Sequence, residues 1–221
     1  NLSSLDISSN SNLITLYCYN NQISNIDISQ NQNLESFDIG NNNLNSIDVS
    51  NNTSLTLLHC YNNQLSSIDV SQNTLLINLY CWGNQISHLD ISQNLFLTHL
   101  YCLNNQLTIL DVTQNISLDR LLCQNNQLTS LIVPQNSNLT EIYCQYNQLT
   151  SLEFSPDYVG SYFGCEYNDL TENYCDTEIG KCFYTSLKQD GMIFDYNKVT
   201  NYNEWRKLYK RKLILDDIFN R

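Results

Sequence analysis

Seven cysteines share one 21-residue spacing, at Cys18, Cys60, Cys81, Cys102, Cys123, Cys144 and Cys165, with Ile39 filling the missing beat. A row of thiols raises metal ligation, redox chemistry and disulfides, and each meets a geometric obstacle. In-register strands hold neighbouring Cβ atoms about 4.8 Å apart, wider than the ~3.8 Å a disulfide prefers. A tetrahedral zinc site needs four converging ligands, whereas a column offers a line of them. Cysteine also packs as a small buried hydrophobe. The row therefore reads as core filling, and most of the nine cysteines carry no information about redox compartment.

A second row is acidic: Asp6, Asp27, Asp48, Asp69, Asp90 and Asp111 recur at the same interval, Ile132 interrupts, and Glu153 resumes. Each Asp lies between apolar neighbours, as Asp27 lies between Ile26 and Ile28, so alternation turns the carboxylates to solvent. Adjacent charges about 5 Å apart in water repel by less than ~1 kcal/mol, which an array tolerates. The row reads as a solvated face. The functional alternative is loose binding of divalent cations between Asp27, Asp48, Asp69, Asp90 and Asp111, since hard cations favour carboxylate oxygens.

Aromatic residues form the third constellation. The position before each thiol, which alternation places outside, reads Tyr17, Asp38, His59, Tyr80, Tyr101, Leu122, Tyr143, Gly164. Two residues later the column reads Tyr19, Gly40, Tyr61, Trp82, Leu103, Gln124, Gln145, Glu166. Rings at Tyr17, Tyr19, His59, Tyr61, Tyr80, Trp82, Tyr101 and Tyr143 thus share one face. Cross-strand aromatics suit β structure for its own sake, but exposed Tyr and Trp are also what binding surfaces are enriched in. Catalysis is poorly served. His59, His88 and His99 are the only histidines and form no evident triad, buried thiols are unreactive, and no glycine-rich phosphate loop or zinc spacing occurs.

The elements that must hold these rows follow from the repeat itself. Leu16, Phe37, Leu58, Leu79, Leu100, Leu121, Ile142 and Phe163 fill one column, and Asn21, Asn42, Asn63, Asn84, Asn105, Asn126, Asn147 and Asn168 another. A fixed period in this range means a solenoid. The unit L-x-x-L-x-C-x-x-N-x-L, followed by L-x-x-L-D-[IV]-S-x-N, resembles the leucine-rich repeat family, in its bacterial 21-residue class. The resemblance covers roughly residues 1 to 170, about eight copies.

Within each unit the two halves are near copies: "LITLYCYNNQ" and "ISNIDISQNQN" both read L-x-x-L-x-φ-x-x-N with period-two alternation. The expected fold is a β-rich solenoid, relatively flat, with two parallel sheets or extended faces back to back. The Asn column should serve the turns, because an amide carries both donors and acceptors for the backbone groups a tight turn leaves over.

After Leu170 the columns fail, with Asn173 where Leu or Ile is due. Residues 171–221 are expected to cap the stack, a general need of solenoids. Glu204 follows Asn203, and Trp205, Leu208, Tyr209 and Leu213 fall near helical spacing, which predicts a helix over 204–219. A binding role for "RKLYKRK" is the alternative. Cys175 and Cys182 stand outside the repeat columns and could form a local disulfide, although spacing alone does not set connectivity.

Charge narrows the partners. Of the net −12, residues 1–170 hold fourteen acids and one base, Arg120 (−13), while the tail holds nine bases and eight acids (+1). Nucleic acid and anionic membranes are poor partners for such an array. No apolar run approaches the ~18 residues that span a bilayer, so membrane insertion is not expected. The opening "NLSSLDISSN" lacks signal-peptide regions and reads as mid-repeat, suggesting a processed chain or a piece of something longer.

The expected function is non-catalytic recognition of a protein or glycan by the aromatic face, without a cofactor. The resemblance adds that this face commonly binds ligands, and that internalin-like relatives are bacterial surface or secreted proteins active in adhesion. Two rivals are a structural array whose Asp/Ser/Asn face meets ions, mineral, ice or polymer, and an enzyme completed by a further domain. Ligand and oligomeric state are not encoded in any motif.

Overall fold

The computed structural model describes residues 1–133, 138–153, 162–165, 167–169, 175–176 and 181–182. Ten short strands belong to the repeats: β1 (Thr15–Tyr17), β2 (Ser36–Asp38), β3 (Leu57–His59), β4 (Asn78–Tyr80), β5 (His99–Tyr101), β6 (Arg120–Leu122), β7 (Ser130–Ile132), β8 (Glu141–Tyr143), β9 (Ser151–Glu153) and β10 (Tyr162–Gly164). Eight of them form one parallel sheet in the order β1-β2-β3-β4-β5-β6-β8-β10. Its register advances by one repeat per strand, pairing Leu16 with Phe37, Phe37 with Leu58 and Leu79 with Leu100. Two further strands, β11 (Cys175–Asp176) and β12 (Lys181–Cys182), form an antiparallel pair in which Cys175 stands opposite Cys182.

Strands this short owe their existence to stacking, because three residues have no stability alone and each gains bonds from the turns above and below. The apolar columns supply the driving force. Phe37, Leu58, Leu79, Leu100 and Leu121 are fully buried, as are Cys60, Cys81, Cys102, Cys123 and Cys144. From the opposite half Ile28, Val49, Val70, Ile91 and Val112 close the core. Each fully buried aliphatic side chain contributes about 1.5–3 kcal/mol, so one turn gains little alone and the array gains by repetition.

The turn that follows the Cys column has two positions with two tasks, most often both filled by asparagine. The first takes up positive φ: Asn20 at 58°, Asn41 at 52° and Asn62 at 48°, with Gly83 at 68° in the same column. Asn tolerates that region better than most residues with a Cβ. The second is buried and wired on all sides. The Asn84 amide Nδ2 donates to the carbonyls of Cys60 and Cys81 at 3.0 Å and of Trp82 at 3.4 Å, while its Oδ1 accepts from the Leu65 N–H at 3.0 Å. The same set recurs at Asn42, Asn63 and Asn105. Asn21, Asn126, Asn147 and Asn168 donate to the carbonyl three residues back in the same way.

Of the two expected faces, one is a continuous parallel sheet and the other is mostly extended chain. Opposite the eight-stranded sheet, the described residues hold only the β7–β9 pair and an isolated bridge from Asp111 to Ile132. The other turns of that half are extended or turned without strands. The expected helix over 204–219 and the end of the eighth repeat lie outside the described residues.

Candidate functional site

The outer face of the large sheet is set by alternation. With Leu79 and Cys81 buried, Tyr80 and Trp82 must point the other way. Parallel in-register pairing then brings each ring over the ring one repeat later. His59 stacks on Tyr80 with centroids 4.1 Å apart and planes 6° from parallel, and Tyr80 on Tyr101 at 4.2 Å and 3°. Beside this trio Tyr61 stacks on Trp82 at 4.7 Å and 7°. Tyr61's other face covers Gly40, where an added Cβ would collide with the ring, so the glycine makes room for the stack to begin. The two rows touch where His59 and Tyr61 tilt together at 6.2 Å.

The stack has polar ends. At one end the His59 imidazole Nδ1 lies 3.2 Å from the Asp38 carboxylate, and the Asp38 Oδ1 also accepts from the Gly40 N–H at 3.0 Å. At the other, Arg120 lies 3.5 Å from Glu141 and 3.9 Å from Asp119. A hydrogen bond with Tyr101, then the Glu141 charge, raise the pKa of Arg120. Burial, then the Tyr101 charge, push the Tyr80 phenol up. His99, edge-on to Tyr101 at 6.2 Å, is shifted down, chiefly by burial.

Of the ring residues expected from the sequence, His59, Tyr61, Tyr80, Trp82 and Tyr101 are therefore in mutual contact. Tyr17 and Tyr19 lie at the β1 end of the same face and are exposed, but Asp38 and Gly40 occupy the next rung of their columns. Tyr143 follows Leu122 on β8. One pair escaped the sequence reading: Tyr146 and Tyr167 stack at 4.3 Å and 8°. Both occupy the positive-φ column, at 54° and 57°. The signal was there, since a column of Asn and Gly changes to Tyr, a costly residue for that conformation.

The other candidates take structural positions. Burial raises the thiol pKa of Cys81 and Cys123 to about 12, which leaves no thiolate near neutral pH. The Asp row is exposed, and each carboxylate is engaged locally: Oδ1 of Asp27, Asp48, Asp69 and Asp90 accepts from the N–H of the Ser two residues on at 2.9 Å. That bond, with the Ser hydroxyl, holds the Asp27, Asp69 and Asp90 pKa values below the ordinary 3.8. Among the described residues no group of three or more His, Cys, Asp or Glu is placed to hold a metal ion, and no helix is long and apolar enough to cross a membrane.

No family profile matches the chain, and no curated protein does. Among solved structures, the functional domain of InlJ from Listeria monocytogenes, which includes a cysteine ladder, is 39% identical over 81% of this chain, with a TM-score of 0.76. An internalin, InlF, from the same organism is 22% identical over 86% of the chain (TM-score 0.65), and internalin C2 is 18% identical over 81% (TM-score 0.62). The chain spans 40% of the InlJ structure, 59% of InlF and 83% of internalin C2. A parallel solenoid of 21-residue turns, a buried cysteine column and this likeness agree: the chain belongs to the leucine-rich repeat family, in its bacterial 21-residue class, and is internalin-like in general character.

Proposed function

We propose that the chain is a non-catalytic recognition module that binds a protein through the ring-bearing face of its large sheet, as part of a secreted or surface bacterial protein. Internalin-type leucine-rich repeat proteins are protein-binding modules. The observation that carries the reading is the pair of adjoining stacks, His59-Tyr80-Tyr101 and Tyr61-Trp82. They form a rigid, half-exposed aromatic platform of the kind that supplies contact area at low entropic cost.

The stacking also bears on ligand class. Both faces of Tyr80 are covered by other rings and those of Tyr61 by Trp82 and Gly40, so the platform offers edges and hydroxyls. A pyranose stacks on an open aromatic face, which favours a protein partner over a glycan. A disulfide between Cys175 and Cys182 would suit a secreted setting, and their opposed register supports it.

The test is the triple variant Tyr80→Ala, Trp82→Ala, Tyr101→Ala, run beside the unaltered chain in a pull-down and on a glycan array. Loss of protein capture with the circular dichroism spectrum retained is expected. Unchanged capture would refute the site, and glycan binding lost in the variant would reassign the ligand.

A further inference from the structure

The platform does not end at the sheet edge. Each turn enters its strand through two outward residues between an Asn and a Leu, both buried from the second turn onward. In the first three turns that dipeptide is polar: Ser11-Asn12, Gln32-Asn33 and Thr53-Ser54. In the next three it turns apolar: Thr74-Leu75, Leu95-Phe96 and Ile116-Ser117. The backbone does not require the change, because the same bonds close both kinds of turn. Leu34 N–H donates to Asn31 O at 3.1 Å, and Leu97 N–H to Asn94 O at 3.1 Å. Leu75, Leu95, Phe96 and Ile116 are 48–59% exposed, and Ile77, two residues nearer the strand, is 41% exposed.

Single exposed hydrophobes need no explanation, but a contiguous group does. These five side chains occupy three consecutive turns, and those turns lead into β4, β5 and β6, so the first two deliver Tyr80, Trp82 and Tyr101 to the platform.

Charge identifies the occupant. Along the column containing Ile77 a backbone ladder runs Glu35, Thr56, Ile77, Thr98, Asp119, with N–H···O distances of 2.8–2.9 Å. An acid therefore stands two rungs to either side of Ile77, about 10 Å away at strand spacing. The only Lys or Arg in residues 1–170, Arg120, is already held between Asp119 and Glu141. The repeat array of a second copy, at −13 over residues 1–170, would set acid against acid.

We infer that Leu75, Ile77, Leu95, Phe96 and Ile116 form an apolar lip that extends the aromatic platform around the sheet edge, and that the shared occupant is a protein segment carrying apolar residues flanked by Lys or Arg. The inference rests on the platform reading and adds the partner's chemistry and a second surface.

The test uses two synthetic probes of identical apolar content, a Leu/Lys amphipathic peptide and its Leu/Glu counterpart, with binding to the whole chain read by fluorescence anisotropy. The lip variant takes residues the chain already uses at these positions: Leu75→Asn, Leu95→Gln, Phe96→Asn. The basic peptide should bind, weaken about tenfold in the lip variant, weaken again in the triple ring variant, and lose affinity as salt rises; the acidic peptide should not bind. Equal binding of both peptides overturns the inferred chemistry. Unchanged binding by the lip variant while the ring variant fails overturns the lip and leaves the platform standing; the reverse pattern overturns the platform and detaches the lip from it. Concentration-dependent dimerisation of the unaltered chain, abolished in the lip variant, would assign the lip to a second copy and overturn the inference.

Discussion

The two halves of each repeat are nearly the same string of residue types, yet among the described residues one half builds an eight-stranded sheet and the other pairs strands only at β7–β9. The difference follows a single column. Where the strandless half carries Asp, the carboxylate accepts from the N–H two residues on, a local bond that offers the backbone an alternative to a ladder. β7 and β9 end in Ile132 and Glu153, where that Asp is absent. One such turn is tolerated inside a sheet, since Asp38 makes the same bond at the end of β2 with regular pairing beyond it. A whole row removes the partner strands as well.

Hydrogen-bond supply separates the halves in a second way. Asn84, like Asn42, Asn63 and Asn105, bonds four backbone groups, whereas the matching Asn73 donates to Val49 O at 3.0 Å and Asn52 O at 2.9 Å and leaves its Oδ1 without a partner. The largest expected effect tests this contrast. Asn84→Leu strands the buried Leu65 N–H, while the carbonyls of Cys60, Cys81 and Trp82 keep Asn63, Asn105 and Asn62 as donors. Asn73→Leu strands no backbone group, since Val49 O and Asn52 O keep the N–H groups of Asn52 and Leu55. The Asn84 variant should therefore lose about 1–3 kcal/mol more, the typical penalty for one unsatisfied group. Urea denaturation of both variants decides; equal losses would erase the distinction.

A smaller effect probes the Asp column directly. Ile132→Asp should abolish the β7–β9 pairing, while Asp111→Ile with Asp90→Ile should extend it from the isolated bridge, each cross-strand pair contributing about 0.2–1 kcal/mol. Amide hydrogen exchange at residues 130–132 and 151–153 should quicken in the first variant. Slowed exchange at 90 and 111 is expected in the second.

The smallest effect is a pH dependence. The Asp69 pKa is lowered in the folded chain, first by the Ser71 N–H and then by its hydroxyl. Its contribution is therefore complete above the unfolded value near 3.8 and is lost as pH falls through the lower folded value. Asp69→Asn keeps an acceptor oxygen for the turn but removes the titration. Melting curves from pH 6 to pH 2 should show a slightly shallower acid decline for the variant, and identical slopes would mean that the Ser71 bond carries no proton linkage.

Much of the site was legible because stacking turns sequence columns into spatial neighbours. Once the 21-residue period was read, His59, Tyr80 and Tyr101 had to lie on adjacent rungs, and the burial of Leu79 and Cys81 followed from alternation. Tyr146 and Tyr167 were passed over because they stand in a turn column, outside the alternation that flags outward strand positions. The lip escaped for a related reason: Leu95-Phe96 precedes a buried Leu, and an apolar run gives no sign of where exposure ends.

By itself the sequence determined the solenoid, its register, the buried thiol column and the face that carries the rings, since a strict repeat specifies every neighbour one period away. Tertiary structure alone decided which half becomes a sheet, which rings stack and how their faces are spent, and where apolar residues reach solvent. Those outcomes depend on competition between local carboxylate bonds and ladder bonds, and on contacts between columns, and neither is written in any one column.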